Sequence, residues 1–264
     1  MHQVITTAQF VYDLIGRQSP LGVILSAIST MVEEQFPDAM VSVMLYSAKN
    51  RTLSLVAGDA FSQNYQQAMR NIEVGPEVGS CGAAAYLREI VVCEDLLNDS
   101  RWAPFIDLVR SEKIAACWSA PIIAPSGELL GTFATYYRHC KSPELSEITF
   151  IRKAAGLAAL AIEHQAERDR RVSSEQRFRS LFSQHPDDVF EIGLDGCFVD
   201  CNQAAEVIAG YGRDQLIGEH YSKVLSPEFY NVASDALILM AGGESHSYEI
   251  VGLNAALKQV RTAL

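Results

Sequence analysis

Through residues 20–36 (PLGVILSAISTMVEEQF) apolar side chains recur at spacings of three and four, which puts Leu21, Ile24, Leu25, Ile28, Met31, Val32 and Phe36 on one face. That spacing predicts an amphipathic helix, with Pro20 at its start, where a missing N–H costs nothing. The period then changes. Residues 41–46 and 52–57 are short apolar runs around the polar segment 48–51, which predicts a hairpin. Gly58, Gly75, Gly79 and Gly82 punctuate the next stretch. Residues 89–93 (EIVVC) predict a short strand, and 98–110 a short helix after a loop. Residues 115–124 and 129–137 flank a turn at 125–127 and predict a second hairpin, and 143–164 predict a long helix rich in alanine, leucine and isoleucine. Helix, antiparallel strands, helix-bearing crossover, strands and helix make an α+β domain.

From Glu163 the helical period continues through HQAERDRRVSSEQRFRSLF. A 3,4 spacing runs through Ile151, Ala155, Ala158, Ile162, Gln165, Asp169, Val172, Gln176 and Arg179. Its second half is polar, so it predicts a helical connector and only a weak coiled-coil seam. After Pro186, residues 189–194 and 197–201 form a hairpin around Asp195-Gly196, a pair that accepts positive φ. Asn202 caps a helix through Ala209, a short helix over 214–217 stops at Gly218, and Pro227 opens a longer one ending near Gly242-Gly243. Residues 245–253 read as a strand, and the last residues begin another.

Composition narrows the class. The 264 residues are 48% hydrophobic and 20% charged, enough for a globular core, and no apolar run reaches the length of a membrane span. The first residues carry no basic, apolar leader, so a cytoplasmic protein is expected. Six cysteines lie at 81, 93, 117, 140, 197 and 201 without a C-x-x-C pair or zinc spacing, which predicts reduced thiols and no metal site. Net charge is −11, divided as −5 over residues 1–163, +2 over 164–182 and −8 over 183–264. Acidic surfaces argue against nucleic acid, and the change of sign marks a boundary between two acidic bodies.

Several blocks are recognisable by order and spacing: GSCGAAAY at 79–86, VVCED at 91–95, DSRW at 99–102, ACWSAPI at 116–122, LGTFATYY at 130–137 and AALAIE at 158–163. On these, residues 20–164 resemble a GAF domain. Residues 175–264, from EQRFRSLFSQHPDDVFEIGLDGCFVDCNQAAEVIAGYGRDQLIG onward, resemble a PAS domain. The resemblances imply an α+β chain of two antiparallel-sheet sensor domains: GAF over 1–164, a helical connector over 165–182, and PAS over 183–264. Such a PAS domain would lack its last strand, so the chain is expected to be the front of a longer protein. The GAF subtype followed by PAS resembles the N-terminal sensory region of bacterial cyclic-di-GMP (GGDEF/EAL) proteins, and sensor histidine kinases carry similar modules. That resemblance implies a sensory region without catalytic residues, a downstream catalytic domain in the same chain, and a homodimer formed through helices.

Both families hold ligands between the sheet and the crossover helices. The resemblance places a GAF pocket at Cys81, Tyr86, Trp102, Phe105, Trp118, Ser119 and Tyr136, and a PAS pocket at Phe190, Phe198, Ala205, Ile208 and Tyr221; the alternative is that these side chains fill a core. The small-molecule ligand is unidentified. Residues 98–112 do not reproduce the cyclic-nucleotide pattern, 102–113 lack the bilin-attaching cysteine and its histidine, 218–223 lack a flavin-reactive thiol, and 227–241 lack a haem-ligating histidine. Two other readings stay open, a ligandless dimerisation scaffold and a GAF enzyme resembling free methionine sulfoxide reductase. In the second, Cys81 and Cys93 match two of the family's cysteines, whereas Cys117 sits inside a strand before Trp118. Gly242-Gly243-Glu244 is followed by Ser-His and reads as a helix end rather than a cyclase turn.

Overall fold

The structure is a computed structural model that describes residues 2–241, 249–253 and 259–263. In order along the chain stand α1 (His2–Gly16), α2 (Leu21–Gln35), β1 (Met40–Ser47), β2 (Thr52–Ala57), α3 (Gln63–Ala68), β3 (Ile72–Glu73), α4 (Gly79–Leu87) and β4 (Val91–Cys93). A 3-10 helix (Ser100–Phe105), α5 (Ile106–Glu112), β5 (Ala116–Ile123), β6 (Leu129–Tyr137) and α6 (Leu145–Gln184) come next. The remainder is β7 (Phe190–Ile192), β8 (Phe198–Cys201), α7 (Gln203–Ala209), α8 (Arg213–Leu216), α9 (Tyr230–Ala241), β9 (Glu249–Leu253) and β10 (Gln259–Ala263). The chain divides into two compact units, Met1–Asp169 and Arg170–Leu264. Among the described residues no helix is long and apolar enough to cross a membrane.

The first unit is built on a six-stranded antiparallel sheet of order β3-β2-β1-β6-β5-β4. Alternation along each strand sends neighbouring side chains to opposite faces. Val41, Val43, Ala120, Ile122 and Phe133 pack with α2 and α6 through Ile24, Leu25, Ile28, Ile151, Ala154 and Ala158, with Val11 and Ile15 of α1 against the same cluster. Met40, Met44, Leu53, Cys117, Ala134 and Tyr136 take the other face, beneath Tyr65 of α3, Cys81 and Ala85 of α4, Trp102 of the 3-10 helix and Val109 of α5.

Both predicted hairpins form. The single helix expected over 98–110 is instead a 3-10 turn containing Pro104 followed by α5. Helices α1, α3 and α4 lie where the sequence pattern predicts none. In α4 the glycine that reads as punctuation is a packing requirement: a Cβ on Gly82 would stand 2.8 Å from the Val78 Cβ and 3.0 Å from the Glu73 carbonyl. Helix α6 runs 40 residues without a break. No glycine or proline occurs between 157 and 184, and pairs one turn apart, such as Arg179–Glu175 at 3.0 Å, support its polar half.

In the second unit β7 and β8 pair around Gly196 (φ +79°). Asn202 caps α7 by accepting from the Ala205 amide at 2.9 Å, while its own side-chain amide donates to the Asp187 carbonyl at 2.8 Å. β9 and β10 pair antiparallel. Of the strand expected over 245–253, residues 245–248 lie outside the described residues, as does Gly242-Gly243.

Candidate functional site

The crossover face of the first sheet carries a buried polar–aromatic cluster. Three neighbouring strands supply its floor, because Cys117 on β5 is paired with Tyr136 on β6, and Ser119 with Ala134, which in turn faces Ser42 on β1. α4 descends onto this floor with small residues in its first turn, and Gly79 takes φ +52°, with the Trp102 and Phe105 rings 3.7 Å from where a Cβ would stand. The positive φ, rather than a lack of room, is what calls for glycine there.

Close contacts result from that descent. The Cys81 Sγ lies 3.6 Å from the Tyr136 hydroxyl, and the Ser119 hydroxyl donates to it at 3.5 Å. The Trp102 Nε1–H donates to the Ser80 hydroxyl at 3.1 Å. Phe61 and Tyr65 stack at 4.2 Å, and Phe61, Tyr65 and Trp102 each meet Tyr136 edge-on, at 5.1, 6.2 and 6.2 Å. Burial pushes the Cys117 thiol and the Tyr136 hydroxyl up, so both stay neutral. The Ser42 and Thr132 hydroxyls are buried and have no hydrogen-bond partner among the described residues. Alternation puts both on this same face, since Val41, Val43 and Phe133 belong to the other. Unpaired buried hydroxyls are costly, and a polar molecule among them would recover that cost.

Of the GAF residues singled out from the sequence, Cys81, Trp102, Phe105, Ser119 and Tyr136 are brought together here. The structure separates the other two. Trp118, between Cys117 and Ser119 on one strand, must face the opposite side of the sheet, where it packs on Tyr137 at 4.5 Å. Tyr86 sits in the last turn of α4 and is 52% exposed. Sequence reasoning missed Phe61, Tyr65, Ser80, Ser42, Thr132 and Cys117. The parity of Cys117 with Ser119 is a usable signal; the polar sequence of α3 (QNYQQA) gives none for Tyr65.

Behind the cluster, the same two strands hold the start of α6. The Tyr137 hydroxyl donates to Glu147 Oε1 at 3.0 Å, Lys141 Nζ reaches that oxygen at 2.7 Å, and the Glu144 amide donates to Oε2 at 2.9 Å. The Lys141 ammonium also stands over the Tyr137 and Trp118 rings, at 4.5 and 5.6 Å. Burial opposes the charge on Glu147, but the Glu144 amide, Lys141 and Tyr137 outweigh it and hold the carboxyl below its usual range.

The 3-10 helix that carries Trp102 is held by Asp99, which accepts from the Arg101 amide at 3.0 Å and pairs with the Arg101 guanidinium. That guanidinium, the largest influence, holds the Asp99 carboxyl at about 2. Burial, and then the neighbouring Asp99, push the Cys93 thiol up to about 12. A carboxyl depressed on folding stabilises above its unfolded pKa and loses that contribution as pH falls through its folded pKa. The Asp99 contribution is therefore complete above about 4 and gone below about 2. An acid titration of a Trp118→Phe background, in which Trp102 is the one emitter, should show a loss of stability across this window. In Asp99→Asn that component should be absent; an identical acid profile in the variant would refute the assignment.

In the second unit, Phe198 and Ala205 are buried in one small cluster, with Phe190 and Tyr221 packed against it. Ile208 lies half-buried outside that cluster. Tyr221 also lines a cavity of about 230 Å³ with Gly196, His220, Ser234 and Ile238.

Comparison with known proteins agrees with this architecture. The GAF domain family matches residues 20–162, and the PAS fold matches residues 176–254. The methyl sulfide methyltransferase-associated sensor of Methanosarcina acetivorans is 27% identical over 229 residues, which is 86% of this chain and 23% of that protein. The chain thus spans about a quarter of its relative. Among solved structures, the GAF domain of an Acinetobacter phosphoenolpyruvate-protein phosphotransferase is similar with a TM-score of 0.51 and 14% identity, covering 64% of this chain and 98% of its own. Free methionine-R-sulfoxide reductase from Neisseria meningitidis is similar with a TM-score of 0.50 and 16% identity, covering 62% of this chain and 88% of its own. Both likenesses are of fold. A sheet roofed by α3, α4 and α5 on one face and backed by α2 and α6 on the other, together with the match over more than half of its length, shows that this chain belongs to the GAF domain family, with a PAS fold following the GAF domain.

Proposed function

We propose that this region is a sensory module that takes a small-molecule or redox signal at the Cys81–Ser119–Tyr136 cluster and passes it along α6 to a catalytic domain of the same protein. The observation that carries the reading is the back-to-back use of β5 and β6. Cys117, Ser119 and Tyr136 face the cluster, while their chain neighbours Trp118 and Tyr137 face the Lys141–Glu147 clamp at the start of α6. A ligand that prefers one arrangement of these strands would bias the helix by its difference in affinity for the two states. The groups on offer are hydroxyls, thiols and aromatic rings, which suit an uncharged polar molecule; an anion would meet no compensating charge. The relative named a sensor supports the signalling role. For the output, the resemblance of the GAF–PAS arrangement to cyclic-di-GMP enzymes makes a cyclase or phosphodiesterase of that nucleotide our choice.

A second reading, helix-mediated assembly, is favoured by one feature. Leu160, Phe178 and Leu181 are exposed and, at about 100° per residue, fall within one narrow arc of α6. Native mass spectrometry with an absorption spectrum on the reduced protein separates the two. A stoichiometric extra mass that Tyr65→Phe or Ser119→Ala weakens supports sensing. A bare protein at twice the chain mass supports a ligandless dimeric scaffold and refutes the proposed site. Cyclic-di-GMP turnover by the full-length protein tests the output.

A further inference from the structure

We propose that Cys93 and Cys117 form a reversible disulfide that locks the crossover over the candidate site, so that redox state controls access to it. The proposal rests on that site being sensory. Cys93 and Cys117 are directly paired across the antiparallel β4–β5 ladder, and both are free thiols in this structure. Directly opposed residues in such a ladder point to the same face with Cα atoms about 4.5–5.5 Å apart. A disulfide needs about 4.4–6.8 Å. Cys93 is the last residue before the chain leaves the sheet, and Cys117 is the second after it returns. Everything between them is the crossover, with Trp102 and Phe105 on the 3-10 helix and Val109 on α5. A bond here would tie the two ends of that cover together.

The chemistry balances with a hydroperoxide as oxidant. Both thiols are buried, but β4 is the edge strand and Cys93 keeps 3% exposure whereas Cys117 keeps none, so a peroxide meets Cys93 first when the edge opens. The Cys93 thiolate attacks the peroxide; an S–O bond forms, the O–O bond breaks, and the departing oxygen takes a proton and leaves as water or alcohol. The Cys117 sulfur then attacks the sulfenic sulfur, the S–S bond forms, and the S–O bond breaks to release water carrying the Cys117 proton. Two electrons pass from the sulfurs to the peroxide, and a dithiol reverses the reaction.

The surroundings set the rate. Cys93 faces Asp99, Arg101 and the Asp95 backbone; Cys117 faces Cys81, Tyr136 and Ser80. Both thiols are held protonated, which makes the pair slow at neutral pH. Oxidation should accelerate about tenfold per pH unit between 7 and 9, as the thiolate fraction rises. Oxidation also removes the thiol beside Asp99, the residue that caps the 3-10 helix.

The test is to treat the reduced 264-residue chain, in a Cys140→Ser background, with hydrogen peroxide at pH 7, 8 and 9, then alkylate and map peptides by mass. The expected product is 2 Da lighter, contains a Cys93–Cys117 linked peptide that a dithiol removes, and has Cys81 alkylated at least tenfold more slowly than in the reduced protein. Cys93→Ser and Cys117→Ala should each abolish the linked peptide. A bond joining Cys81 to either partner, sulfinic acid 32 Da heavier, or no oxidation at all overturns the disulfide. A Cys93–Cys117 bond with Cys81 alkylation unchanged overturns the lock. If either occurs while the native mass spectrum still shows a bound molecule, the redox control fails and the sensory site stands.

Discussion

Gly131→Ala is expected to destabilise the first unit severely, lowering its urea midpoint well below that of the wild type. Gly131 lies in β6, paired with Leu45 on β1 and Ile122 on β5, at the centre of the sheet. A Cβ there would stand 2.0 Å from the Met44 carbonyl oxygen and 3.2 Å from the Leu45 Cα. These are backbone atoms, so no side-chain rotation relieves the overlap, and the β1–β6 ladder must separate. A cost of about 4 kcal/mol or more results, against total stabilities of about 5–15 kcal/mol. Gly156 supplies the control. It lies inside α6 with nothing within 4 Å of a built Cβ, and alanine there should add about 0.5–1 kcal/mol. Urea unfolding followed by circular dichroism distinguishes the two. A Gly131→Ala midpoint equal to wild type would show that the strands part without cost.

On the proposed route through α6, Val172→Pro should uncouple the candidate site from any downstream domain. Val172 lies inside α6 and its side chain is 42% exposed, so little packing is lost on replacing it. Proline removes the amide that bonds one turn back and drives its ring into that carbonyl, at a cost of about 3 kcal/mol. The helix must kink or break near the boundary between the two compact units. In the full-length protein the signal-dependent change in output should fall to the unstimulated level. The bound mass and the thermal unfolding of the first unit should be unchanged, and Val172→Ala should respond normally. A normal response from the proline variant would remove α6 as the route.

How far the sequence reveals this arrangement depends on what each segment packs against. Residues 129–137 read cleanly as a strand, and β6 has those bounds, because a central strand with covered faces must carry apolar and small residues throughout. α4 is hidden because it packs so tightly that six of its nine residues are glycine, serine or alanine, a composition that reads as loop. α3 is hidden because one buried residue, Tyr65, anchors an otherwise polar turn. The candidate site is legible where chemistry and parity agree, at Ser119 and Tyr136. Trp118 looks like a pocket residue because it is a large aromatic in the right segment, but strand alternation assigns it to the back of the sheet. The orphan hydroxyls of Ser42 and Thr132 carry no sequence signal, since a serine or threonine in a strand is ordinary until its neighbours are known.

The opposed placement of Trp102 and Trp118 gives the molecule two optical probes, since these are its two tryptophans. One indole lies within the cluster, hydrogen-bonded to Ser80; the other lies on the far side of the sheet, against Tyr137 and Lys141. Single Trp→Phe variants would each leave one emitter. If the cluster binds a ligand and α6 carries the signal, as proposed, the Trp102 lifetime would report occupancy and the Trp118 lifetime the state of α6, and the delay between them after rapid mixing would time the passage through one layer of β-sheet.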